Sequence, residues 1–281
     1  MTGLVTAAPH NSSMIDLFAR RSKVATRAIG LADVLTPVQV RVFFDCEMRW
    51  FYQHLLAVPD PPTASMALEG AIRAALITNF RYKLECKQDL QTEAVVELFR
   101  RAWQEQQQAA SFCDDEHPNR IGRIGEELVR TYMTQAAPPI QPAAIEARTM
   151  QGVLASVRIQ AQFDILDEDG MIIAITTARN TSSTIEPMHR FEMTTCYRLT
   201  YGASGVVRSD TLATGESLRC VSQVWEITEA DIQLTDALYP VAQQAMRRGY
   251  YMPNRASVHC SRHQCPHWRR CEQDFGGVVK A

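Results

Sequence analysis

The chain has 281 residues, 46% of them hydrophobic and 21% charged, with 13 glycines and 13 prolines. That length and mix suit one large or two small globular domains and exclude a mini-protein, a collagen-like chain or a low-complexity polymer. Lys+Arg 29 against Asp+Glu 31 leaves a formal net charge of -2, so a nucleic-acid partner has to be met by a local basic surface rather than by bulk charge.

Residues 1–30 mix small, polar and basic side chains, with Arg20, Arg21, Lys23 and Arg27 close together, and are expected to form a flexible arm. The start MTGLVTAAPHNSSMIDLFARR lacks the long apolar centre of a secretory signal, and no run approaches the ~18 apolar residues of a membrane span. A cytoplasmic protein with no membrane partner is expected. Thr36-Pro37 opens a predicted helix through VQVRVFFDCEMRWFYQHLLAV that carries Cys46, since proline is tolerated in a first helical turn. After the breaker Asp60-Pro61-Pro62, helices are predicted over Ser65–Phe80, Leu90–Ala110 and Ile121–Gln135, so the N-terminal half is mainly helical. Beyond Ala136-Ala137-Pro138-Pro139 the pattern turns β-branched. Strands are predicted at Ala144–Arg148, Val157–Leu166 and Met171–Thr177, the last two joined as a hairpin by Asp167-Glu168-Asp169-Gly170. A helix over Met188–Thr200, strands over Gly205–Ala213 and Leu218–Ile227, and a capping box at Thr228-Glu229-Ala230-Asp231 opening a helix to Arg248 complete an α/β pattern.

Eight cysteines in this length are far below the density of a disulfide scaffold. Three of them, Cys260, Cys265 and Cys271, fall within HCSRHQCPHWRRC in the spacing C-x4-C-x5-C. This spacing fits neither the zinc-ribbon nor the ferredoxin pattern. Three readings stand at this point: core thiols, a zinc site completed by His259, His263 or His267, and an iron-sulfur cluster completed by a distant cysteine.

The segment FFDCEMRWFYQHLL around Cys46, taken with the tail SVHCSRHQCPHWRRC, resembles the RecB-like PD-(D/E)XK nuclease family in its iron-sulfur branch. That branch includes the AddB nuclease domain and the CRISPR-associated RecB-like exonucleases. The resemblance implies a restriction-endonuclease-like α/β core over residues 32–275, with a central mixed sheet flanked by helices. It also implies a [4Fe-4S] cluster on Cys46, Cys260, Cys265 and Cys271 that clips the two ends of the domain together, zinc being the alternative occupant. Glu47 stands where the family usually has proline.

The catalytic motifs of the resembled family are eroded in this chain. Gly70 in ALEGAIRAAL aligns with its Gly-x-x-His helix, but Arg73 replaces the histidine. Glu146 falls at the acidic position of the entry strand, and Asp164 in Ala161-Gln162-Phe163-Asp164 at the first metal-binding aspartate. The next strand offers Ala174 and Thr176 where an acid and a lysine are expected, and neither Met193 with Tyr197 nor, in the other frame, Glu192 with Cys196 restores the Gln-x-x-x-Tyr helix. Divalent-metal hydrolysis of a phosphodiester needs a cage of carboxylates, so the resemblance implies a catalytically impaired domain that binds DNA or scaffolds a recombination, repair or CRISPR/phage DNA-processing assembly with a helicase or nuclease partner. Two alternatives stand beside it: an active Mg²⁺- or Mn²⁺-dependent exonuclease using Glu146, Asp164 and Asp167, and a zinc-stabilised protein-interaction module. Candidate phosphate contacts are Arg20, Arg21, Lys23, Arg247, Arg248, Arg262, Arg269 and Arg270.

Overall fold

A computed structural model of the chain describes residues 33–58, 61–145, 150–181, 183–215 and 217–280. The predicted arm over 1–30 and the candidate acid Glu146 therefore lie outside the described residues.

The first helix, α1 (Pro37–Asp45), starts where the sequence predicts: Thr36 accepts from the Gln39 amide, the Gln39 side chain accepts from the Thr36 N–H, and Pro37 takes the first turn. The expected unbroken helix stops at Cys46, which is extended at φ -157° and ψ 105°. A short helix α2 (Glu47–Trp50) and a π-helical turn (Phe51–Leu55) follow. The break is supported from the far end of the chain, because the Met48 N–H donates to Met252 O and Asn254 Nδ2 donates to Asp45 O.

Three long helices, α3 (Ala64–Cys86), α4 (Thr92–Ala109) and α5 (Pro118–Gln135), pack side by side. Small residues set their spacing: a Cβ on Gly125 would lie 2.1 Å from the Phe99 ring, so α4 and α5 approach as closely as they do only with glycine there. Gly70 likewise faces α4, against the Gln106 side chain.

The strands form two sheets. β1 (Val34–Leu35), β3 (Met150–Leu154) and β4 (Val157–Ala161) make a small sheet in the order β1-β4-β3. The larger sheet contains β2 (Pro142–Ile145), β5 (Ile165–Asp167), β6 (Ile172–Ala178), β7 (Val206–Ala213) and β8 (Arg219–Glu226), in the order β2-β5-β6-β7-β8. It is mixed: β6 and β7 are parallel and the other pairings antiparallel. The expected hairpin is present as β5–β6, and Gly170, at φ +77°, makes the turn that a side chain would strain. Its acidic residues are not all solvated. Asp167 is buried, and its Oδ1 accepts from the Asp169 and Met171 amides, so the carboxylate is used in the turn.

The single strand expected over Val157–Leu166 is two strands in different sheets, with the chain crossing between them at Gln162–Asp164. The entry strand starts earlier than expected, at Pro142, and is described over Pro142–Ile145.

Ile173, Ile175 and Leu212 turn one face of the larger sheet into the core of α3, α4 and α5. On the other face, α6 (Pro187–Leu199) lays Met193 and Cys196 over Ile172 and Val207. The helix α7 (Glu229–Arg248), opened by the predicted Thr228 capping box, joins α1, α2 and the small sheet in a second core with Trp50, Tyr52 and Tyr239. A last helix, α8 (Trp268–Phe275), carries Cys271 into that core. Among the described residues no helix is long and apolar enough to cross a membrane. The arrangement is the expected α/β class with a central mixed sheet between helical layers.

Candidate functional site

Two places gather the chemistry-bearing side chains: a cleft where β5 and β6 part, and a pocket where both ends of the chain meet.

β5 pairs with β6 only through Ile172 and Ile173. Further along β6, the amides of Ile175 and Thr177 take carboxylates instead: Ile175 N donates to Asp164 Oδ2 at 2.7 Å, and Thr177 N and Oγ1 donate to Glu69 Oε2 at 3.4 and 2.8 Å. Buried amides need such partners, so the parting of the strands fixes both acids. Arg73, one turn beyond Glu69 on α3, donates from Nε to Asp164 Oδ1 at 2.6 Å, with its Nη2 at 2.5 Å from the same oxygen. Asp164 is buried and Arg73 about a third exposed. Where the sequence places a metal-binding aspartate beside a substituted histidine, the two side chains form a charge-assisted pair.

A second such pair lies within electrostatic reach of Glu69. Arg41 on α1 donates to Glu192 Oε1 on α6 at 2.7 Å, His189 Nδ1 is 3.7 Å from Glu192 Oε2, and His189 Nε2 is 2.9 Å from Ser209 Oγ on β7. Burial works to raise the Glu192 carboxyl, but His189 and Arg41 outweigh it and hold the group below the ordinary glutamate range. Arg41 is held above its ordinary value against its own burial, by Glu192 first and then by Glu186 and Glu69.

Ala174 pairs in register with Ser209, and Thr176 with Thr211, on the α6 face. Thr176 Oγ1 lies 3.4 Å from Thr211 Oγ1. Neither position offers an acid or an amine. Met193 is buried and Tyr197 half-buried in the core under α6. Asp167, weighed as a third ligand, spends its carboxylate on the hairpin. Glu69, Arg41, Glu192 and His189 were not picked out as site residues from sequence, and their partners lie 108, 151, 151 and 20 positions away.

The second place brings together all four cysteines singled out in the sequence. Cys46, Cys260, Cys265 and Cys271 line one pocket with Arg49, Tyr52, Arg255, His259 and His267. Cys46 is presented by the break after α1, and its Sγ accepts from the Asn254 amide at 3.4 Å. Beside it, Asp45 accepts from Ser257 Oγ at 2.5 Å and lies 3.2 Å from His259 Nδ1, which seats the loop leading to Cys260. Across the pocket, buried Tyr52 donates to Asp274 Oδ2 at 2.6 Å, and Arg270 donates to the same oxygen at 2.8 Å, seating α8.

Burial pushes the Cys271 thiol up to about 11 and raises Cys260 and Cys265, with Arg255, Lys280 and Arg49 pulling the other way. A metal centre here displaces those protons. Among the described residues no three of the four sulfurs lie within 4.8 Å of one another. Cys220, the next cysteine upstream, sits on β8 against the helical core instead.

Of the expected basic contacts, Arg247 pairs with Asp33, Arg262 with Glu272 and Arg270 with Asp274. Arg262 and Arg269 both lie 4.6 Å from the Trp268 ring centroid. Arg20, Arg21 and Lys23 lie outside the described residues.

A central mixed sheet whose strands part around a buried acid fits the nuclease-like core expected from the sequence. The comparisons agree: the model of the PD-(D/E)XK nuclease superfamily matches residues 34–272, and the chain belongs to that superfamily. Among solved structures, a "Putative exonuclease" from Eubacterium rectale is similar over 92% of this chain and 91% of its own, at 10% identity and a TM-score of 0.50. The protein SSO0001 matches over 72% of this chain and 84% of its own, at 14% identity and a TM-score of 0.31. No curated protein sequence matches.

Proposed function

We propose that this PD-(D/E)XK domain is a catalytically impaired member of the superfamily that binds DNA, belongs to its iron-sulfur branch, and is clipped by a [4Fe-4S] cluster on Cys46, Cys260, Cys265 and Cys271. The observation that carries the impairment is the Arg73–Asp164 pair. With Ala174 and Thr176 following on β6, the acids the cleft does hold are engaged, Asp164 by a guanidinium and Glu69 by the Thr177 amide and hydroxyl, where hydrolysis needs acids free to coordinate. The four-cysteine pocket supports the cluster by donor type and by the amide and arginines set around the sulfurs. When bound, the cluster supplies a covalent link between the two ends of the domain; this chain's own residues seat it, through Asp45 on one side and Tyr52–Asp274 on the other. Over residues 32–275 the clip makes one domain of the chain, working in DNA recombination, repair or a related process beside a partner enzyme.

A second reading has one observation in its favour. Glu69 reaches β6 two residues along from Asp164, so a rearranged site built on both acids would give a Mg²⁺- or Mn²⁺-dependent exonuclease.

End-labelled single-stranded and duplex DNA separates the two. The expected result is intact DNA with both wild type and Asp164→Ala in Mg²⁺ and Mn²⁺, together with DNA binding that falls steeply as salt rises. Cleavage by wild type that Asp164→Ala abolishes establishes the second reading, and affinity no better than a neutral control protein at low salt rejects DNA binding. Iron and sulfide counts on anaerobic protein test the cluster; zinc alone would indicate a zinc-stabilised module.

A further inference from the structure

A third group of ligand-type side chains stands apart from the cleft and the cysteine pocket. Cys113 and Glu116 lie in the turn between α4 and α5, and His263 lies in the loop between Cys260 and Cys265. One ligand atom from each falls within 4.8 Å of the other two. We propose that Cys113, Glu116 and His263 form a separate site for a single zinc-class divalent ion, which fastens the cysteine loop to the helical layer.

The donor set is the first support: thiolate, carboxylate and imidazole are the three side chains that zinc takes. Distance is the second. His263 Nδ1 is 3.2 Å from Glu116 Oε1, close to the about 3.3 Å between two donors that share a tetrahedral ion at 2.0–2.1 Å. The third is the far side of the imidazole, where Asp115 Oδ2 lies 3.8 Å from His263 Nε2. A histidine that binds metal through one nitrogen characteristically turns its other N–H toward a carboxylate, and Asp115 occupies that place.

Both ligand-bearing segments are held in position by other contacts. The turn is closed by Glu116 N donating to Cys113 O at 3.0 Å and by Cys113 N donating to Glu116 Oε2 at 2.8 Å. Ser111 N donates to Pro62 O, fixing the turn against the start of α3. On the other side Ser65 Oγ donates to His263 O at 3.2 Å. Glu116 keeps Oε1 toward the histidine while Oε2 serves the turn, so one oxygen stays directed at the shared point. Cys113 and Glu116 are half-buried and His263 is 28% exposed, leaving room for water as a fourth ligand.

The test reads a difference rather than a total, so that zinc taken up by the four-cysteine pocket cancels. Wild type, Cys113→Ala and His263→Gln are incubated with zinc sulfate, desalted and counted for zinc, with far-UV circular dichroism confirming the fold. Each variant is expected to hold one zinc fewer per chain than wild type. An unchanged count in either variant overturns the site and leaves His263–Glu116 as an ordinary ion pair. A second measurement needs no variant: alkylation of Cys113 in wild type by iodoacetamide, mapped by mass spectrometry, is expected to slow at least tenfold when zinc is added to chelated protein, and equal rates overturn the proposal.

Discussion

In the cysteine pocket four sulfurs from opposite ends of the chain face a common space with arginines around them, whereas in and beside the β5–β6 cleft Asp164 and Glu192 have each taken an arginine and Glu69 a backbone amide. Both regions carry metal-type donors; they differ in what the donors already hold. A carboxylate bound to a guanidinium has to lose that partner before it coordinates an ion, while a protonated thiol has only to lose its proton. Availability, more than residue type, separates a site that fits a metal from one that fits it poorly.

The sharpest way to break the comparison is to remove one sulfur. Cys46→Ser is expected to abolish the iron content of anaerobic protein and its brown absorbance. It should also cost several kcal/mol of stability, since a link closing ~210 residues restricts the unfolded chain by about 5 kcal/mol in the chain-entropy account. Thermal unfolding with iron analysis checks it; a variant with full iron and an unshifted midpoint would show that Cys46 holds nothing.

The next largest effect belongs to the face of the larger sheet packed against α5, where a charge pair is buried in the core. Arg208 donates to fully buried Asp210 at 2.7 Å, and Tyr132 donates to the same carboxylate at 2.9 Å. Arg208→Met leaves that carboxylate without its cation and is expected to cost about 3–5 kcal/mol in urea unfolding. A loss under 1 kcal/mol would mean that the tyrosine alone suffices.

The same contrast runs through what the sequence discloses. Cysteine spacing alone leaves three readings open, and it is the family resemblance carried by the run at Cys46 that groups Cys46 with Cys260, Cys265 and Cys271, which line one pocket. The helix break at Cys46 is not legible, because apolar spacing continues through it and the contacts that support it come from Met252 and Asn254. The switch of sheets at Gln162–Asp164 is equally silent: Val157, Ile159, Ala161, Phe163 and Ile165 are all apolar, so the period of two runs through the sequence while the hydrogen-bonding partners change. In the cleft, Asp164 and Arg73 are readable from their motif positions, but not that they bond, since 91 positions separate them. Glu69 and Arg41 belong to no readable pattern, Glu192 falls in one frame of an eroded motif, and only the tertiary fold brings Arg41 to Glu192.

The helix that carries His189 and Glu192 is itself anchored by Asp231, which takes both Arg190 nitrogens at 3.0 and 2.6 Å and caps α7 through Thr228. The Arg190 guanidinium, against the pull of partial burial, holds the Asp231 carboxyl well below the usual range. Because the folded value lies below the unfolded one of about 3.9, this contribution is complete above about pH 4 and is lost as pH falls through the folded value. Asp231→Asn is expected to cost about 1–2 kcal/mol at neutral pH, with the gap from wild type constant from pH 5 to 8 and narrowing in acid. A gap that widened in acid would reverse the sign and refute the pairing.

The smallest change in stability is expected where the comparison is most exposed to test. Arg73→Gln removes the cation from Asp164 but keeps a polar side chain on α3, and because Arg73 is 36% exposed its loss should cost at most about 1 kcal/mol. Its effect on metal affinity should be larger: Mn²⁺, followed by calorimetry, is expected to bind Arg73→Gln more tightly than wild type, and a further Asp164→Asn should remove the gain. If Arg73→Gln binds Mn²⁺ no better, the guanidinium is not what closes the cleft to metal, and the shortage of acids on β6 is. Ala174→Asp in the same background then has to produce the site that the loss of Arg73 did not.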